Sequence, residues 1–544
     1  MRSLPTRRAV LGASAAVVGS GLLAACSGSS GSSGHSGGSG PDHGSMNHGG
    51  SAGVPEGYVD PAGPEVRAAE AARKATGPLT EVKVTATATP LDLGAGITVR
   101  SWAYGDRLPG QEVRATAGGT LSLALANNLP EATSLHWHGL ALRNDMDGVP
   151  GLTQRDIAPG GSFTYKFAVP HPGTYWFHPH TGVQQDRGLY APLIIEDPKE
   201  PLSYDKEWVV VLDDWIDGVD GATPDDVLAE LRKGMSGEGG GHAAHGQAAP
   251  SPGSSSSSGS GSGTGTGRSH LLMGADSDVL GRDAGDVAYP HYLINGRVAD
   301  DPSVFTARPG DRIRLRIVNA GGDTAFRIAL GDHELTVTHT DGFPVEHTKT
   351  PSLLLGMGER YDVLVTAQDG VFPLTALAEG KGRSALAVLR TGTGTAPTAA
   401  TRPAELDVRP LTADVLKAAG PAALAPREPD RTVQIRLTGS MTKYDWAFDG
   451  KPYTPDQRHP VKAGERIRLD FRNATPMWHP VHLHGHTFAL GGQAGGARKD
   501  TAVVLPGGRL TADFDADNPG LWMVHCHNVY HSEAGMMTVL GYRR

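Results

Sequence analysis

The sequence predicts an all-β protein made of three consecutive β-sandwich domains. Three observations support this fold class: a strand-like segment occurs three times, a longer segment occurs twice, and turn-forming residues are abundant. The chain contains 74 glycines and 39 prolines among 544 residues, which is typical of many tight turns. A chain of this length is also too long for one compact core, so about three domains are expected.

The strand-like repeat is a glycine followed by apolar residues at positions +3, +5 and +7 and by asparagine at +9. Its three copies begin at Gly118, Gly310 and Gly464. Period-two alternation after a glycine turn is the pattern of a half-buried strand. Three copies at this spacing predict three related sandwiches.

The longer repeat closes the first and third copies but not the second. Residues 159–161 (Pro-Gly-Gly) lead to 178–180 (His-Pro-His), and 506–508 (Pro-Gly-Gly) lead to 525–527 (His-Cys-His), each displaced by 347 residues. The middle copy has a weaker counterpart that starts at 358–361 (Gly-Glu-Arg-Tyr) and ends without histidine. We therefore expect a triplicated sandwich in which only the outer copies carry chemistry.

Composition and the repeats together divide the chain into segments. The Gly/Ser-rich stretches cannot bury enough apolar surface to fold, so they are expected to be flexible. The predicted segments are an export signal at 1–26, a flexible tether at 27–75, and sandwich domains at 76–200, 201–400 and 401–544. The second domain carries a polar, serine-rich insertion at about 234–270, which is expected to be a disordered surface loop.

The N-terminus resembles an export address. Residues 6–11 (Thr-Arg-Arg-Ala-Val-Leu) resemble a twin-arginine signal, and an apolar stretch follows them up to Ala25. Residues 23–26 (Leu-Ala-Ala-Cys) resemble a lipobox in which Cys26 would carry lipid; an ordinary signal peptide with an incidental cysteine is the alternative. The address predicts an extracytoplasmic protein that is lipid-anchored to the outer face of the cell membrane. No other segment is long and apolar enough to cross a bilayer.

Charge and cysteine content narrow the function further. The chain has 49 Lys and Arg against 58 Asp and Glu, for a net charge of −9, and no basic stripe interleaves with aromatic residues. Nucleic acid is therefore not an expected partner. The two cysteines are Cys26, in the leader, and Cys526, so no disulfide is expected inside the mature fold.

Four His-x-His pairs lie at matching positions of the outer repeats. They are His136 and His138, His178 and His180, His482 and His484, and His525 and His527. On a strand, residues i and i+2 face the same side about 6–7 Å apart, so each pair can present two imidazoles to one space. The middle copy has Ile328 and Leu330 at the equivalent offsets. One such pair is more often incidental than a metal site, but four at repeat offsets predict eight histidines that converge where the first and third domains meet.

Cys526 lies between the last two histidines, and strand alternation turns it to the opposite face. His531 and Met536 follow it, and His479 precedes it. Two imidazoles, a thiolate and a weak thioether are the ligands of a blue-copper electron-transfer site. Inert packing of a buried cysteine and a zinc site, which prefers several cysteines or a closed four-ligand set, are weaker alternatives. Electrons at Cys526 could leave through the backbone to its two histidine neighbours.

Taken together, these residues resemble the four copper motifs of the multicopper oxidases. The motifs stand at 136–139 (His-Trp-His-Gly), 178–180 (His-Pro-His), 479–484 (His-Pro-Val-His-Leu-His) and 525–536. The chain is especially similar to the three-domain, laccase-like branch and to the copper-resistance oxidases of actinobacteria, over roughly residues 80–544. This resemblance implies three cupredoxin-like Greek-key domains and an oxidoreductase that reduces dioxygen to water.

The resemblance also implies four copper ions and assigns their ligands by position. The type 1 ligands would be His479, Cys526, His531 and Met536, and the type 2 ligands would be His136 and His482. One type 3 copper would be held by His138, His178 and His527, and the other by His180, His484 and His525. Asp147 stands where the family carries a carboxylate near the type 2 copper, where it would orient water and assist proton delivery. A turn aspartate before Gly148 is the alternative.

The predicted function is oxidation of cuprous ion, phenols or aromatic amines coupled to four-electron reduction of dioxygen, in copper tolerance. A general laccase-type phenol oxidase without a metal-oxidase role is one alternative, and a non-enzymatic copper carrier is another. A copper nitrite reductase is less favoured, because that family looks shorter and lacks the four paired motifs.

Two features near the predicted sites stay open at the sequence level. The His and Met residues of the tether and the insertion could capture copper weakly, although a solvated linker is the favoured interpretation. Copper-efflux relatives often carry an acidic residue directly after the type 1 histidine, whereas this chain has Ser532 there and Glu533 one position later. The proton donor to the cluster is therefore not assigned.

Overall fold

The computed structural model describes residues 55–234 and 269–544. The predicted export signal, most of the predicted tether and nearly all of the insertion at 234–270 lie outside the described residues. Within these ranges the chain consists mainly of β-strands, with three short α-helices. No helix among the described residues has the length and apolar character that a membrane span requires.

The tether predicted at 27–75 is wrong for its last part. Residues 64–72 form a helix, α1 (Pro64–Ala72), in which Val66 is buried. Its Glu70 carboxylate accepts a backbone N–H from the first domain at 2.6 Å. The Gly/Ser-rich composition ends before this segment, and the Ala, Glu and Arg residues that replace it are strong helix formers.

The first domain is a sandwich of two four-stranded sheets. Its strands are β1 (Leu79–Gly94), β2 (Ile97–Tyr104), β3 (Val113–Thr116), β4 (Gly119–Asn128), β5 (His136–His138), β6 (Ser162–Val169), β7 (Gly173–His178) and β8 (Ala191–Glu196). The sheet orders are β2-β1-β4-β6 and β3-β8-β7-β5. From β3 to β7, successive strands alternate between the two sheets, which is the Greek-key arrangement that the sequence predicts.

The second domain has sheets of seven and five strands and carries the helix α2 (Pro224–Arg232). Its strands are β9 (Lys206–Trp215), β10 (His291–Ile294), β11 (Arg297–Val298), β12 (Ser303–Thr306), β13 (Arg312–Asn319), β14 (Phe326–Leu330), β15 (Leu335–Thr340), β16 (Phe343–Thr350), β17 (Leu353–Leu355), β18 (Arg360–Thr366), β19 (Val371–Ala378) and β20 (Arg383–Arg390). The sheet orders are β11-β10-β9-β13-β18-β15-β16 and β12-β20-β19-β14-β17.

The third domain has sheets of six and five strands and the helix α3 (Val529–Ala534). Its strands are β21 (Arg431–Thr438), β22 (Ala447–Phe448), β23 (His459–Val461), β24 (Arg466–Asn473), β25 (His479–Leu483), β26 (Phe488–Leu490), β27 (Arg498–Lys499), β28 (Thr501–Val504), β29 (Arg509–Asp515), β30 (Leu521–Cys526) and β31 (Met537–Tyr542). The sheet orders are β22-β21-β24-β29-β26-β27 and β23-β31-β30-β25-β28. The all-β class with three sandwiches is confirmed, whereas the boundaries at residues 200 and 400 stay predictions.

The strand-like repeat corresponds to β4, β13 and β24, and the structure explains its asparagine. Asn127, Asn319 and Asn473 are each buried at the end of their strand. Each side-chain amide donates to a backbone oxygen of the turn that follows the strand and to one of a second, more distant segment, with donor–acceptor distances from 2.6 to 3.1 Å. A buried loop carbonyl needs a donor, so the asparagine fixes the turn beyond each repeat strand. In the outer domains that turn precedes the strand that carries the histidines.

Candidate metal centre

The paired histidines lie on neighbouring strands of the two outer domains. In the first domain β5 pairs with β7, so that His136 is opposite His178. In the third domain β25 pairs with β30 in the same way, and His482 is opposite His525. Because the outer repeats share one fold, they turn equivalent strands toward each other, and the predicted convergence of eight histidines is observed.

The eight histidines form overlapping groups whose ring nitrogens lie within 4.8 Å of one another. The groups are His136, His138 and His482; His138, His178 and His527; and His180, His484 and His525. All of these rings are buried except that of His180, which is partly buried. Each of the last two groups takes histidines from both outer domains, so neither group exists in one domain alone.

Hydrogen bonds fix which nitrogen of each ring faces the cluster. Nδ1 of His136 lies 2.8 Å from the Asp147 carbonyl oxygen, Nδ1 of His482 lies 2.9 Å from the Asp500 carbonyl oxygen, and Nδ1 of His525 lies 2.8 Å from the Cys526 carbonyl oxygen. A carbonyl oxygen only accepts, so each Nδ1 must carry the proton. The lone pair of each of these three rings is therefore on Nε2, which is the nitrogen that a metal would bind.

The ring nitrogens inside the cluster fit bound cations. Nε2 of His136, His178, His180 and His482 is buried without a hydrogen-bond partner among the described residues. Nδ1 of His138 lies 3.2 Å from Nε2 of His527, and Nε2 of His484 lies 3.1 Å from Nε2 of His525. His484 and His525 both carry the proton on Nδ1, so their facing Nε2 atoms both present lone pairs. A shared cation stabilises two such lone pairs at this distance, because a buried polar atom without a partner is costly. The donor set of imidazoles suits copper.

The surroundings keep at least three of the cluster rings, those of His178, His484 and His525, neutral. Burial lowers the pKa of His178, His484 and His525 well below the ordinary histidine value, and the neighbouring imidazoles lower the pKa further. A neutral ring keeps one lone pair available, and a metal ligand needs that lone pair.

Cys526 occupies a second site on the other side of its strand, as predicted. Its Sγ lies 3.7 Å from Nδ1 of His479 and 3.7 Å from Nδ1 of His531, and the two nitrogens are 3.1 Å apart. Cys526 and both histidines are fully buried. Met536 is also fully buried, and its carbonyl oxygen accepts the backbone N–H of Cys526 at 3.0 Å. The cysteine sulfur and two imidazole nitrogens converge on one point, which fits a copper ion.

Side chains outside the predicted set hold the second nitrogen of each of these histidines. Nε2 of His479 lies 2.8 Å from the Thr475 hydroxyl, and Nε2 of His531 lies 2.9 Å from Asp286 Oδ2. Asp286 belongs to the middle domain and is itself buried. These contacts turn both Nδ1 atoms toward the sulfur.

Two aromatic side chains cover the Cys526 site. The ring of Trp446 lies 4.5 Å from the ring of His531 and 5.4 Å from that of His479, between centroids. The Tyr444 ring lies 6.3 Å from that of His531. Both aromatic side chains are buried, so they exclude water from these faces of the histidines.

Asp147 lies inside the cluster, between the two outer domains. Its Oδ2 is 2.9 Å from Nδ1 of His484, and its carbonyl oxygen accepts from His136. The turn is tight: Gly148 has φ +81°, and a Cβ there would meet the Leu135 carbonyl oxygen at 1.8 Å. Only glycine fits this position, and the turn holds the Asp147 side chain against His484.

Sequence reasoning missed a buried ionic group around His138. Nε2 of His138 lies 3.0 Å from Asp500 Oδ1, and Asp500 makes a double hydrogen bond with Arg360, 2.7 Å at each contact. Burial would raise the pKa of Asp500, but the Arg360 guanidinium and the His138 hydrogen bond hold it well below its usual range. Asp500 has no distinctive spacing in the sequence, and Arg360 lies in the weak repeat segment 358–361 without any local signal of its partner.

Several other candidates are now placed. Nδ1 of His486 lies 3.1 Å from the His484 carbonyl oxygen, and its Nε2 lies 2.7 Å from the Tyr542 hydroxyl. Ser532 and Glu533 line a cavity of about 30 Å³ beside the cluster histidines, which is large enough for a water molecule. Among the four insertion residues with His or Met side chains, only His270 is described, and its backbone N–H donates to Glu230.

Comparison with known proteins agrees with this geometry. Three family models, each described as multicopper oxidase, match residues 85–200, 273–396 and 426–543. The chain belongs to the multicopper oxidase family. It is therefore an oxidoreductase that uses dioxygen and binds copper.

Individual relatives place the chain more closely within this family. It is 48% identical to multicopper oxidase MmcO of Mycobacterium tuberculosis over 483 residues, which covers 88% of this chain and 90% of the relative. It is 30% identical to a copper resistance protein A homolog of Pseudomonas syringae, covering 79% and 87%. Among solved structures, the laccase of Botrytis aclada has a TM-score of 0.68 at 24% identity, covering 86% of this chain and 88% of that one, and shows the same fold.

Proposed function

We propose that this chain oxidises cuprous ion and passes the electrons to dioxygen, in copper tolerance, with phenols and aromatic amines as accessory substrates. The observation that supports cuprous ion most directly is the buried carboxylate of Asp286 at the outer nitrogen of His531, 2.9 Å away. A carboxylate there attracts a cation to the edge of the Cys526 site. The names of two similar proteins, a copper resistance protein A and its homolog, refer to copper resistance.

The proposed copper complement is four ions, held by the residues that the sequence assigns. His479, Cys526, His531 and Met536 would hold the type 1 copper, and His136 and His482 the type 2 copper. His138, His178 and His527 would hold one type 3 copper, and His180, His484 and His525 the other. Bound copper would supply one-electron oxidation at the Cys526 site and four-electron reduction of dioxygen at the histidine cluster.

The side chains of this protein orient and connect the two sites. Cys526 is covalently linked to His525 and His527, which belong to different groups of the cluster, so the backbone joins the substrate side to the oxygen side. Asp147 accepts the Nδ1 proton of His484 and keeps that proton away from the cluster face. Trp446 and Tyr444 keep water from the faces of the His479 and His531 rings.

Oxygen consumption by the copper-loaded chain tests the proposal. Rates are measured with cuprous ion and with a simple phenol, each corrected for oxidation without protein and each repeated with added cupric ion. We expect saturable cuprous oxidation. Phenol oxidation without any cuprous activity would instead favour the general laccase-type alternative, and no oxygen consumption with either would favour a copper carrier.

Asp286→Asn tests the role of the carboxylate in choosing the substrate. Two unit charges 4 Å apart interact by about 4 kcal/mol at an effective dielectric constant of 20, so loss of even a third of this lowers the kcat/KM for cuprous ion about tenfold. The phenol rate reports any general damage to the Cys526 site. Asp278→Asn, which removes a carboxylate that is exposed and paired with Arg282, is the matched control. Equal losses for cuprous ion and phenol would refute a role in cation attraction.

The proposed location is the outer face of the cell membrane. The twin-arginine-type signal and the cysteine at position 26 support export and a lipid anchor, and both lie outside the described residues. Metabolic labelling with a fatty acid, compared between the natural chain and Cys26→Ser, tests the anchor. Labelling that persists in the variant would exclude Cys26 as the lipid site.

A further inference from the structure

His138 differs from the other cluster histidines in the nitrogen that it presents. His136, His178, His482, His484 and His525 all turn Nδ1 to an oxygen acceptor. His138 instead turns Nε2 away, 3.0 Å from Asp500 Oδ1 and 3.0 Å from the Thr501 hydroxyl. A carboxylate accepts only, so the proton of His138 is on Nε2 and its lone pair is on Nδ1. The orientation of this ring therefore depends on Asp500.

Asp500 is held in place by Arg360 of the middle domain. The guanidinium donates to both carboxylate oxygens at 2.7 Å, and both side chains are fully buried. Arg360 also donates to the carbonyl oxygens of Thr174, in the first domain, and Gly358. Because a planar guanidinium bonds a carboxylate through two parallel contacts, the pair fixes the angle of the carboxylate as well as its position.

The backbone that carries Asp500 is fixed by the same domain. Asp341 Oδ2 accepts the backbone N–H groups of Asp500 and Thr501, at 3.1 and 3.2 Å. It also lies 3.2 Å from Lys499 Nζ, which in turn lies 3.0 Å from Glu359 Oε1. Separating one member of such a buried group from its partners leaves a buried charge without compensation, which is costly. The group is therefore held in a single arrangement.

The middle domain also packs directly against the cluster. Gly358 has φ +85°, and a Cβ at this position would lie 2.9 Å from Cε1 of His138 and 2.9 Å from Cδ2 of His527. The segment 358–361 is the counterpart of residues 159–161 and 506–508, with which the longer repeat begins in the outer domains. In the middle copy the same segment contributes a glycine and an arginine.

We infer that Arg360 is a positioning residue for the copper cluster: acting through Asp500, it holds the proton of His138 on Nε2 and so presents Nδ1 beside His527. The middle domain, which supplies none of the proposed copper ligands, thus sets the geometry of a site built from the other two domains. This inference rests on the copper assignment proposed above. It predicts that loss of the guanidinium fork disturbs the group of His138, His178 and His527 while the Cys526 site, on the other face of its strand, keeps its copper.

Arg360→Gln and Arg360→Lys test the inference in the full-length, copper-loaded chain. Outer partners of metal ligands typically change metal affinity or activity by about 10- to 100-fold. In Arg360→Gln we expect the turnover rate for dioxygen to decrease by about 10- to 100-fold. The two type 3 coppers (the paired coppers) should lose resistance to a chelator by a similar factor. The near-ultraviolet absorption of the paired coppers should fall in parallel, whereas the blue absorption of the Cys526 site should stay. Arg360→Lys keeps the buried charge without the fork and should show the same pattern if Arg360→Gln does not fold.

Arg327→Gln is the matched control, because Arg327 makes an equivalent double contact with Glu379, 2.8 Å at each, away from the cluster. It should keep both absorptions and the full turnover rate. A folded Arg360→Lys with unchanged chelator resistance and absorption overturns the inference, as does equal loss of both absorptions. If the natural chain itself shows no paired-copper absorption and consumes no oxygen, the proposed function has failed rather than the role of Arg360.

Discussion

Asp147 contacts two cluster histidines, and replacing its side chain affects the two contacts differently. Its backbone carbonyl oxygen accepts from Nδ1 of His136 at 2.8 Å, and this contact survives any side-chain change, whereas the contact of Asp147 Oδ1, 3.2 Å from the same nitrogen, does not. Its Oδ2 accepts from Nδ1 of His484 at 2.9 Å, and both side chains are fully buried. Asp147→Asn keeps the shape but replaces the charged acceptor by a neutral amide, whereas Asp147→Ala removes the acceptor altogether.

The hydrogen-bond energies give the expected size of the two effects. A hydrogen bond to a charged group contributes about 1.5–3 kcal/mol, and a neutral one about 0.5–1.5 kcal/mol. The difference of about 1–1.5 kcal/mol predicts that Asp147→Asn weakens copper retention by His180, His484 and His525 about 5- to 12-fold. Asp147→Ala loses the whole contact and should weaken retention about 10- to 150-fold. Oxygen turnover should fall in the same order.

Copper analysis during challenge with a chelator, together with the oxygen consumption rate, checks this series. Asp145→Asn is the matched control. Asp145 lies two residues away and forms a partly exposed ion pair with Arg143, without contact to a cluster histidine. It should behave like the natural chain. If Asp147→Asn and Asp147→Ala both match Asp145→Asn, Asp147 does not orient His484 and the turn-aspartate interpretation is correct.

Three further predictions follow from the same contacts. Cys526→Ser should abolish the blue colour and substrate oxidation, which a visible spectrum and an activity assay measure. It should lower the free energy of unfolding by no more than about 1–3 kcal/mol, because the new hydroxyl lies beside two imidazoles; a calorimetric melt measures this change. Removing copper should lower the Tm, by an amount that depends on the free copper concentration, because copper binds the folded state. Lys381→Met should lower the Tm by about 6–20 °C, because it breaks a fully buried pair with Asp323 that is 2.7 Å long.

Each of these predictions has an outcome that contradicts it. A Cys526→Ser protein that stays blue refutes the type 1 assignment. A Tm that does not depend on copper means that the ligands are not coupled to the folded state. Lys349→Met is the control for Lys381→Met, because it breaks an exposed pair with Glu334. It should change the free energy of unfolding by no more than about 0.5 kcal/mol. A similar loss of stability in both lysine variants would show that burial of Lys381 does not matter.

The fold and most of the candidate site could be predicted because their signals are local. Period-two alternation identified β4, β13 and β24, and the His-x-His spacing placed two rings on one face of a strand. The repeat offset then related the first and third domains, so that residues as distant as His178 and His525 were expected to play equivalent parts. The tether was predicted too long, because its Gly/Ser-rich composition was extended into α1.

The supporting residues could not be predicted, because their contacts join distant parts of the chain. Asp286 contacts His531, and Arg360 contacts Asp500; the partners are 245 and 140 positions apart in the chain. An aspartate or arginine in a strand or loop looks the same in the sequence whether it faces solvent or a buried imidazole.

The sequence by itself determined the proposed ligand types, the pairing of the histidines and the number of domains that carry them. Only the tertiary structure decided which nitrogen of His138 and of His484 faces the cluster, because for these two rings the choice depends on an acceptor placed by another domain. It also decided that the middle domain, which contributes no predicted ligand, supports the site through Arg360, Gly358 and Asp286. Ligand identity is a property of a residue and its near neighbours, whereas ligand orientation is a property of the packed fold.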